Sequence, residues 1–126
     1  HDMDSAIAET VHHRERFLAA TDEAPTTLEM RCFVAPIKAV LHDIRGGWRA
    51  QHDPGSYAAS QAMARQLRAA DSNGIVYDSV RRPGGHCAAV FYPDIIGPAQ
   101  QGAALFYKWD GQRITTVVVA NQVIER

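Results

Sequence analysis

This sequence is short of one-sided charge, of long apolar runs and of cysteine, and each shortage removes a class of function. It carries 13 basic and 14 acidic side chains over 126 residues, a net charge of −1. The bases are scattered. A protein that grips nucleic acid needs a concentrated basic face, so no direct nucleic-acid binding is expected. No apolar run approaches the ~20 residues that span a bilayer, and no leader pattern opens the chain. The expectation is a cytoplasmic protein with no membrane partner. The 2 cysteines, Cys32 and Cys87, both sit in apolar strand-like runs, where free buried thiols are expected over a disulfide. Nor is there a Gly-x-Ser-x-Gly elbow, a Walker or Gly-x-Gly-x-x-Gly loop, a CxxC or an HxxxH. With no internal repeat, low-complexity tract or linker, residues 1–126 read as one domain, large enough for a real core.

What is there alternates between helical and strand-like patterns. Ser5 to about Thr21 reads as a helix capped by Ser5 or Asp4, with Ile7, Val11 and Leu18 on one face. Asp22 to Thr27 is a turn. Leu28–Val34 alternates as a half-buried strand does, and Ile37–Ile44 holds another strand-like run, Ala39-Val40-Leu41. Gly46–Gly55 is a polar, glycine-bearing loop. Ser56–Ala70 is a second helix with an Ala59, Met63, Leu67, Ala70 stripe, stopped by Asp71-Ser72-Asn73-Gly74, with Asn73-Gly74 supplying the left-handed stop. Two buried strands follow from Gly74, separated by a polar turn, and then a loop from Pro93 to about Gln101. Ala103–Tyr107 and Ile114–Ala120 form a hairpin across Asp110-Gly111, with Trp109 at its tip. Trp48 and Trp109 are read as packing or surface residues. Strands mostly neighbour strands, which makes the fold α+β: two main helices on a mostly antiparallel sheet.

The polar turn holds the most chemistry. Tyr77, Ser79, Arg81, Arg82 and His86 gather around Pro83-Gly84-Gly85, where strand ends present side chains from a rigid scaffold. A hydroxyl, fixed positive charge and an imidazole suit an anionic, hydroxyl-rich ligand such as a nucleotide. Adjacent arginines on a strand point to opposite faces, so only one is expected to enter a site. On the first helix Glu9 and His13 stand four apart: either a solvated pair worth a few tenths of a kcal/mol, roughly, or a carboxylate held toward a cleft by an imidazole. His12-His13 lacks the partners a zinc site needs, so no metal is expected. Ser79 alone reads as a turn-forming hydroxyl.

Two stretches go further when taken together. Ala8-Glu9-Thr10-Val11-His12-His13-Arg14 and Gly74-Ile75-Val76-Tyr77-Asp78-Ser79-Val80-Arg81-Arg82-Pro83-Gly84-Gly85-x-Cys87 closely resemble the RES-domain family, as does the Tyr107-x-Trp109-Asp110-Gly111 hairpin. The resemblance runs over essentially the whole chain. It implies an ADP-ribosyltransferase-like fold and the toxin of a bacterial toxin–antitoxin pair. Such a toxin destroys NAD and is blocked by a helix-turn-helix antitoxin. It also implies Glu9 and Ser79 as the family's catalytic glutamate and serine. The family's arginine lies on a strand before the glutamate helix; this chain starts at that helix, and an N-terminally truncated piece is expected.

The chemistry suits these residues. Nicotinamide leaves NAD as a neutral base, so no general acid is required, and the transition state is oxocarbenium-like. A carboxylate near the ribose and donors on the sugar and phosphates stabilise it. By position, Arg81 faces the pyrophosphate, and Tyr77, His86 and His13 contact the NAD. The expected activity is nicotinamide–ribose cleavage by hydrolysis or phosphorolysis. The alternatives are ADP-ribosyl transfer to a protein, or an inactive antitoxin-binding fragment. Ser79→Ala is expected to lower activity with little loss of stability.

Overall fold

A computed structural model describes residues 2–119 and 122–126. The order is α1 (Met3–Ala20), β1 (Thr26–Val34), β2 (His42–Asp43), α2 (Ala58–Ala69), β3 (Gly74–Asp78), β4 (His86–Val90), a 3-10 turn (Pro93–Ile95), β5 (Gln100–Trp109), β6 (Ile114–Val119) and β7 (Gln122–Glu125). Two compact units emerge. One comprises His1–Ala6 and Pro36–Pro98, the other Ile7–Ala35 and Ala99–Arg126. The α+β class expected from the pattern is what the elements form. The strands, however, divide into two sheets in place of the one expected, β1-β5-β6-β7 and β2-β3-β4.

The second unit is an antiparallel sheet covered by α1. Period-two alternation sends Leu105, Tyr107 and Trp109 of β5 to one face, where they meet Ile7, Val11 and Leu18 of α1 and Ile114 and Val117 of β6. Leu28, Met30 and Cys32 of β1 pack against this core, with Leu28 opposite Tyr107, Met30 opposite Leu105 and Val34 opposite Gln100. Polar atoms entering the core keep partners. The Tyr107 hydroxyl lies 2.7 Å from Thr10 Oγ1, and burial pushes its pKa up. Trp109 Nε1 donates to the Glu23 carbonyl at 2.9 Å, and Glu15 Oε2 accepts from Ile114 N at 2.8 Å and Arg126 at 2.9 Å. Trp109 is thus a core residue at the end of β5, 2% exposed, and not a hairpin tip. The tip is Asp110-Gly111, as expected: Asp110 Oδ1 accepts from Gln112 N and Arg113 N, both at 2.8 Å, and Gly111 takes φ 103°. Those two amides hold the Asp110 carboxyl below its usual range. Of the expected final strand, Ala120 lies outside the described residues.

Both helices end alike. In α1 the left-handed residue is Asp22 (φ 52°), with Glu23 N donating to Leu18 O and Asp22 N to Ala19 O. In α2 it is Asp71 (φ 62°), with Ser72 N on Leu67 O and Asp71 N on Arg68 O. This is the Schellman pattern with aspartate where glycine is usual. The helix stops where expected, but the left-handed residue is Asp71 and not Asn73-Gly74. At the other end of α1, Asp2 Oδ1 accepts from Ser5 N at 2.7 Å. Asp2 is the cap and Ser5 a buried residue of the first turn, where Asp4 or Ser5 had been expected to cap.

The first unit is built on β3. It pairs antiparallel with β4 from Gly74 opposite Val90 to Asp78 opposite His86, and parallel with the two residues of β2. Gly74 is fixed by close approach: a Cβ there would run into the Ala89 carbonyl. Ala59, Met63 and Leu67 form a half-buried stripe on α2, which packs on β3, while Ala70 is exposed. Ala39-Val40-Leu41 is not a strand. Lys38 N is committed to Ile95 O and Ile37 bridges Ile96, so pairing with β3 starts only at His42, and Val40 is left 86% exposed. Cys32 and Cys87 are half-buried thiols in no disulfide among the described residues. No helix among the described residues is long and apolar enough to cross a membrane.

Candidate functional site

The strand pair β3–β4 delivers the polar turn to the end of a twisted ladder, beside the loop that follows Ile44. Between them, within the first unit, lies an open depression of about 610 Å³ lined by Gly47, Arg49, His52, Pro54, Asp78 and Ser79, among others. Ser79 is the most deeply set of these polar groups, 7% exposed. Its Oγ accepts from the backbone amides of Arg81 at 3.3 Å and Arg82 at 3.2 Å. Its own amide donates to Gly85 O at 2.9 Å, and Gly85 N returns to Arg82 O at 3.0 Å. A serine hydroxyl has two lone pairs and one proton. Both lone pairs are thus turned to amides. The hydroxyl is arranged as a turn former, and poorly as a nucleophile.

Asp78 and His52 fix the facing loop. Asp78 Oδ2 accepts from Gly46 N at 2.8 Å, and Asp78 N donates to His52 Nε2 at 3.1 Å. His52 Nδ1 stands 3.0 Å from the Trp48 carbonyl. A carbonyl only accepts, so the proton sits on Nδ1 and the ring is held in one neutral tautomer. The same reasoning orders His86. Arg45 Nη1 donates to its Nδ1 at 3.4 Å, which turns Nε2–H toward Asp78 Oδ1 at 3.8 Å. Arg45 also grips Asp43 through Nε at 2.9 Å and Nη2 at 2.7 Å. The Arg45 hydrogen bonds bring the Asp43 carboxyl down to about 2, and Asp43 in turn raises the Arg45 pKa.

The two arginines of the turn part company, as expected, but because the chain turns there and not through strand alternation. Arg82 reaches back to Asp4 at 3.5 Å and Asp2 at 3.7 Å. Arg81 points to the loop before α2, where Nη2 makes long bonds to Tyr57 Oη at 3.3 Å and Pro54 O at 3.4 Å. Among the described residues its buried Nε has no hydrogen-bond partner. Tyr77 is half-buried on β3, its ring 6.4 Å from that of His52.

Ser79, Tyr77, Arg81 and His86 are therefore gathered in the first unit. Glu9 and His13 belong to the second, on α1: Glu9 is half-buried and His13 exposed, its ring edge-on to His12 at 5.3 Å. Glu9 lies off the Ile7/Val11 core stripe, as its spacing predicts. Sequence reasoning passed over Arg45, Arg49 and His52. Their loop carries a visible cue, a histidine and two arginines amid Gly46-Gly47 and Pro54-Gly55, but pairing it to β3 required the fold. Among the described residues no group of three His, Cys, Asp or Glu side chains is placed to hold a metal.

Comparison with known proteins adds a family. The family model described as RES domain matches residues 1–110. An uncharacterized protein, y4oC of Sinorhizobium fredii (strain NBRC 101917 / NGR234), is 29% identical over 119 residues, covering 90% of this chain. The chain spans 47% of the length of that relative. No solved structure matches.

Proposed function

The chain belongs to the RES domain family, and from that premise we propose that it is the NAD-degrading part of a toxin, cleaving the bond between nicotinamide and ribose. The observation that carries the reading is Ser79. The serine that the resemblance marks as catalytic lines the depression with its lone pairs engaged by two amides. Its place in that lining suits it to contact a sugar hydroxyl or the nicotinamide amide. Arg81 supports the reading: among the described residues its buried Nε lacks a partner, and its other bonds are long. A pyrophosphate oxygen would satisfy it better than the Tyr57 hydroxyl does.

In this mechanism nicotinamide departs as a neutral base, and positive charge grows on the ribose. Glu9 supplies the carboxylate that stabilises this charge or orients the acceptor, water or phosphate. Ser79 fixes the ribose or the amide, Arg81 meets the pyrophosphate, and Tyr77, His86 and His13 contact the dinucleotide. NAD is a substrate here and no metal takes part. The fold is proposed to be ADP-ribosyltransferase-like, and a helix-turn-helix antitoxin is the proposed inhibitor.

The test is nicotinamide release from NAD by the chain, with and without phosphate. Wild type is expected to release nicotinamide, and Glu9→Gln to slow release by about a hundredfold or more, the scale of losing one charge-stabilising group. Dependence on phosphate identifies phosphorolysis. Transfer of labelled ADP-ribose to protein in place of free product would assign the transferase reaction. Unchanged turnover in Glu9→Gln would sink the mechanism.

A further inference from the structure

The depression has two walls. Gly47, Arg49, His52 and Pro54 belong to the loop that runs from β2 to α2, whereas Asp78 and Ser79 stand at the end of β3. The loop begins with Gly46 and Gly47 at positive φ, 76° and 143°, and glycine leaves such a backbone free to move. Bonds to β3 therefore decide where this wall stands. Gly46 N on Asp78 Oδ2 at 2.8 Å fixes the start of the loop. Its middle is fixed by one imidazole. His52 Nε2 accepts from Asp78 N at 3.1 Å, while Nδ1 donates to the Trp48 carbonyl at 3.0 Å. Arg81 adds a long bond to Pro54 O at 3.4 Å. The His52 ring thus closes its own turn and fastens that turn to the strand bearing Ser79.

We propose that His52 is a positioning residue of this site: as a neutral imidazole it clips the loop wall to β3, and protonation releases that wall. The proposal rests on the NAD reading above. An imidazole nitrogen accepts a hydrogen bond only while it carries no proton. In the imidazolium both nitrogens donate, so Nε2–H would face the Asp78 amide donor to donor. The half-buried Asp78 backbone would lose its acceptor. Several charged or titratable groups surround the clip. Arg49 and Asp53 lie on the loop itself, and the Tyr77 ring and Asp78 carboxylate on β3. His86 of β4 is 3.8 Å from that carboxylate, and Arg45 is 3.4 Å from His86. His86 is thus a second imidazole in the same cluster, and the two must be told apart.

The test starts with the wild-type ring. NMR of the nitrogen-labelled chain should show His52 with a bare Nε2 at about pH 8, coupled across the hydrogen bond to the Asp78 amide nitrogen. That coupling should vanish toward about pH 5, across the range in which imidazoles exchange their proton. Nicotinamide release is then followed against NAD concentration over the same range in wild type, His52→Leu and His52→Gln. Leucine removes the acceptor. It should raise KM about fivefold near pH 8, the scale of one net hydrogen bond, with kcat held within about twofold because binding alone is lost. Glutamine offers an oxygen that takes up no proton here, and the Trp48 carbonyl keeps its donors Gln51 N and His52 N. His52→Gln should therefore recover most of the loss, and its KM should rise less toward pH 5 than that of wild type. Three results overturn the clip and leave the NAD reading standing. They are a proton on Nε2 at pH 8, an unchanged KM in His52→Leu, and an acid rise in KM that His52→Gln reproduces in full, which would belong to His86. No release by wild type at any pH overturns both.

Discussion

At the scale of single residues, Ser79 has two duties that the sequence kept apart. Read by itself it was a turn hydroxyl; read through its resemblance it was catalytic. The structure gives it the first role in detail, since two amides depend on its oxygen, and that changes one expectation. Ser79→Ala leaves the Arg81 and Arg82 amides without their acceptor, and should cost about 1–3 kcal/mol of stability, read as a lower denaturation midpoint at unchanged m-value. Ser79→Thr keeps the oxygen and should recover most of it. The depressed carboxyl of Asp43 makes a second prediction. A carboxylate whose folded pKa lies near 2, below its unfolded value of 3.8, contributes stability that is complete above the unfolded value. That contribution fades as pH falls through the folded one. Tm measured from pH 5 to pH 2 should therefore drop less steeply in Asp43→Asn than in wild type, with the two curves converging at the acid end. Parallel curves would mean that the Arg45 contact is too solvated to matter.

Among the elements, those with local signals were legible and those set by distant partners were not. The helical spacing of Ile7, Val11 and Leu18 and the alternation along β1 and β5 are written into neighbouring residues, and each names its buried face. The Ala39-Val40-Leu41 run carried a strand's composition with no partner to pair with, because Lys38 and Ile37 are already engaged with Ile95 and Ile96. The loop from Gly46 to Gly55 was recognisable as a loop. That its histidine would accept from an amide 26 positions away is a property of the β3 register and lies in no local pattern. Both helix C-termini were legible to within a residue, but the left-handed residue after α2 was not, because aspartate stands where glycine is the usual signal. Asp71 and Asp22 both sit in a conformation costing a residue with a Cβ about 1–2 kcal/mol. Asp71→Gly is thus expected to stabilise the protein by about 1 kcal/mol, measurable by urea unfolding. A loss instead would show that the aspartate side chain supports the turn.

For the whole molecule, the RES family assignment was legible because long motifs survive where elements are ambiguous, whereas the division of strands into two sheets was not. One unit's sequence is interrupted by the other: residues 36–98 separate β1 from β5, yet Val34 and Gln100 face each other on one rung of the ladder. Pairing them requires closing a loop of about sixty residues, which costs roughly 2 kcal/mol more than closing one of four. A chain in which two glycines join Ala35 directly to Ala99 should therefore retain the β1–β5 pairing and unfold cooperatively. A flat, featureless melt would show that the shortened chain lacks the means to hold its core. The rung at Val34 and Gln100 then acts as a socket. Whatever is plugged in there, whether these sixty residues or a differently shaped segment with its own ligand preference, the β1–β5 pairing need not be rebuilt.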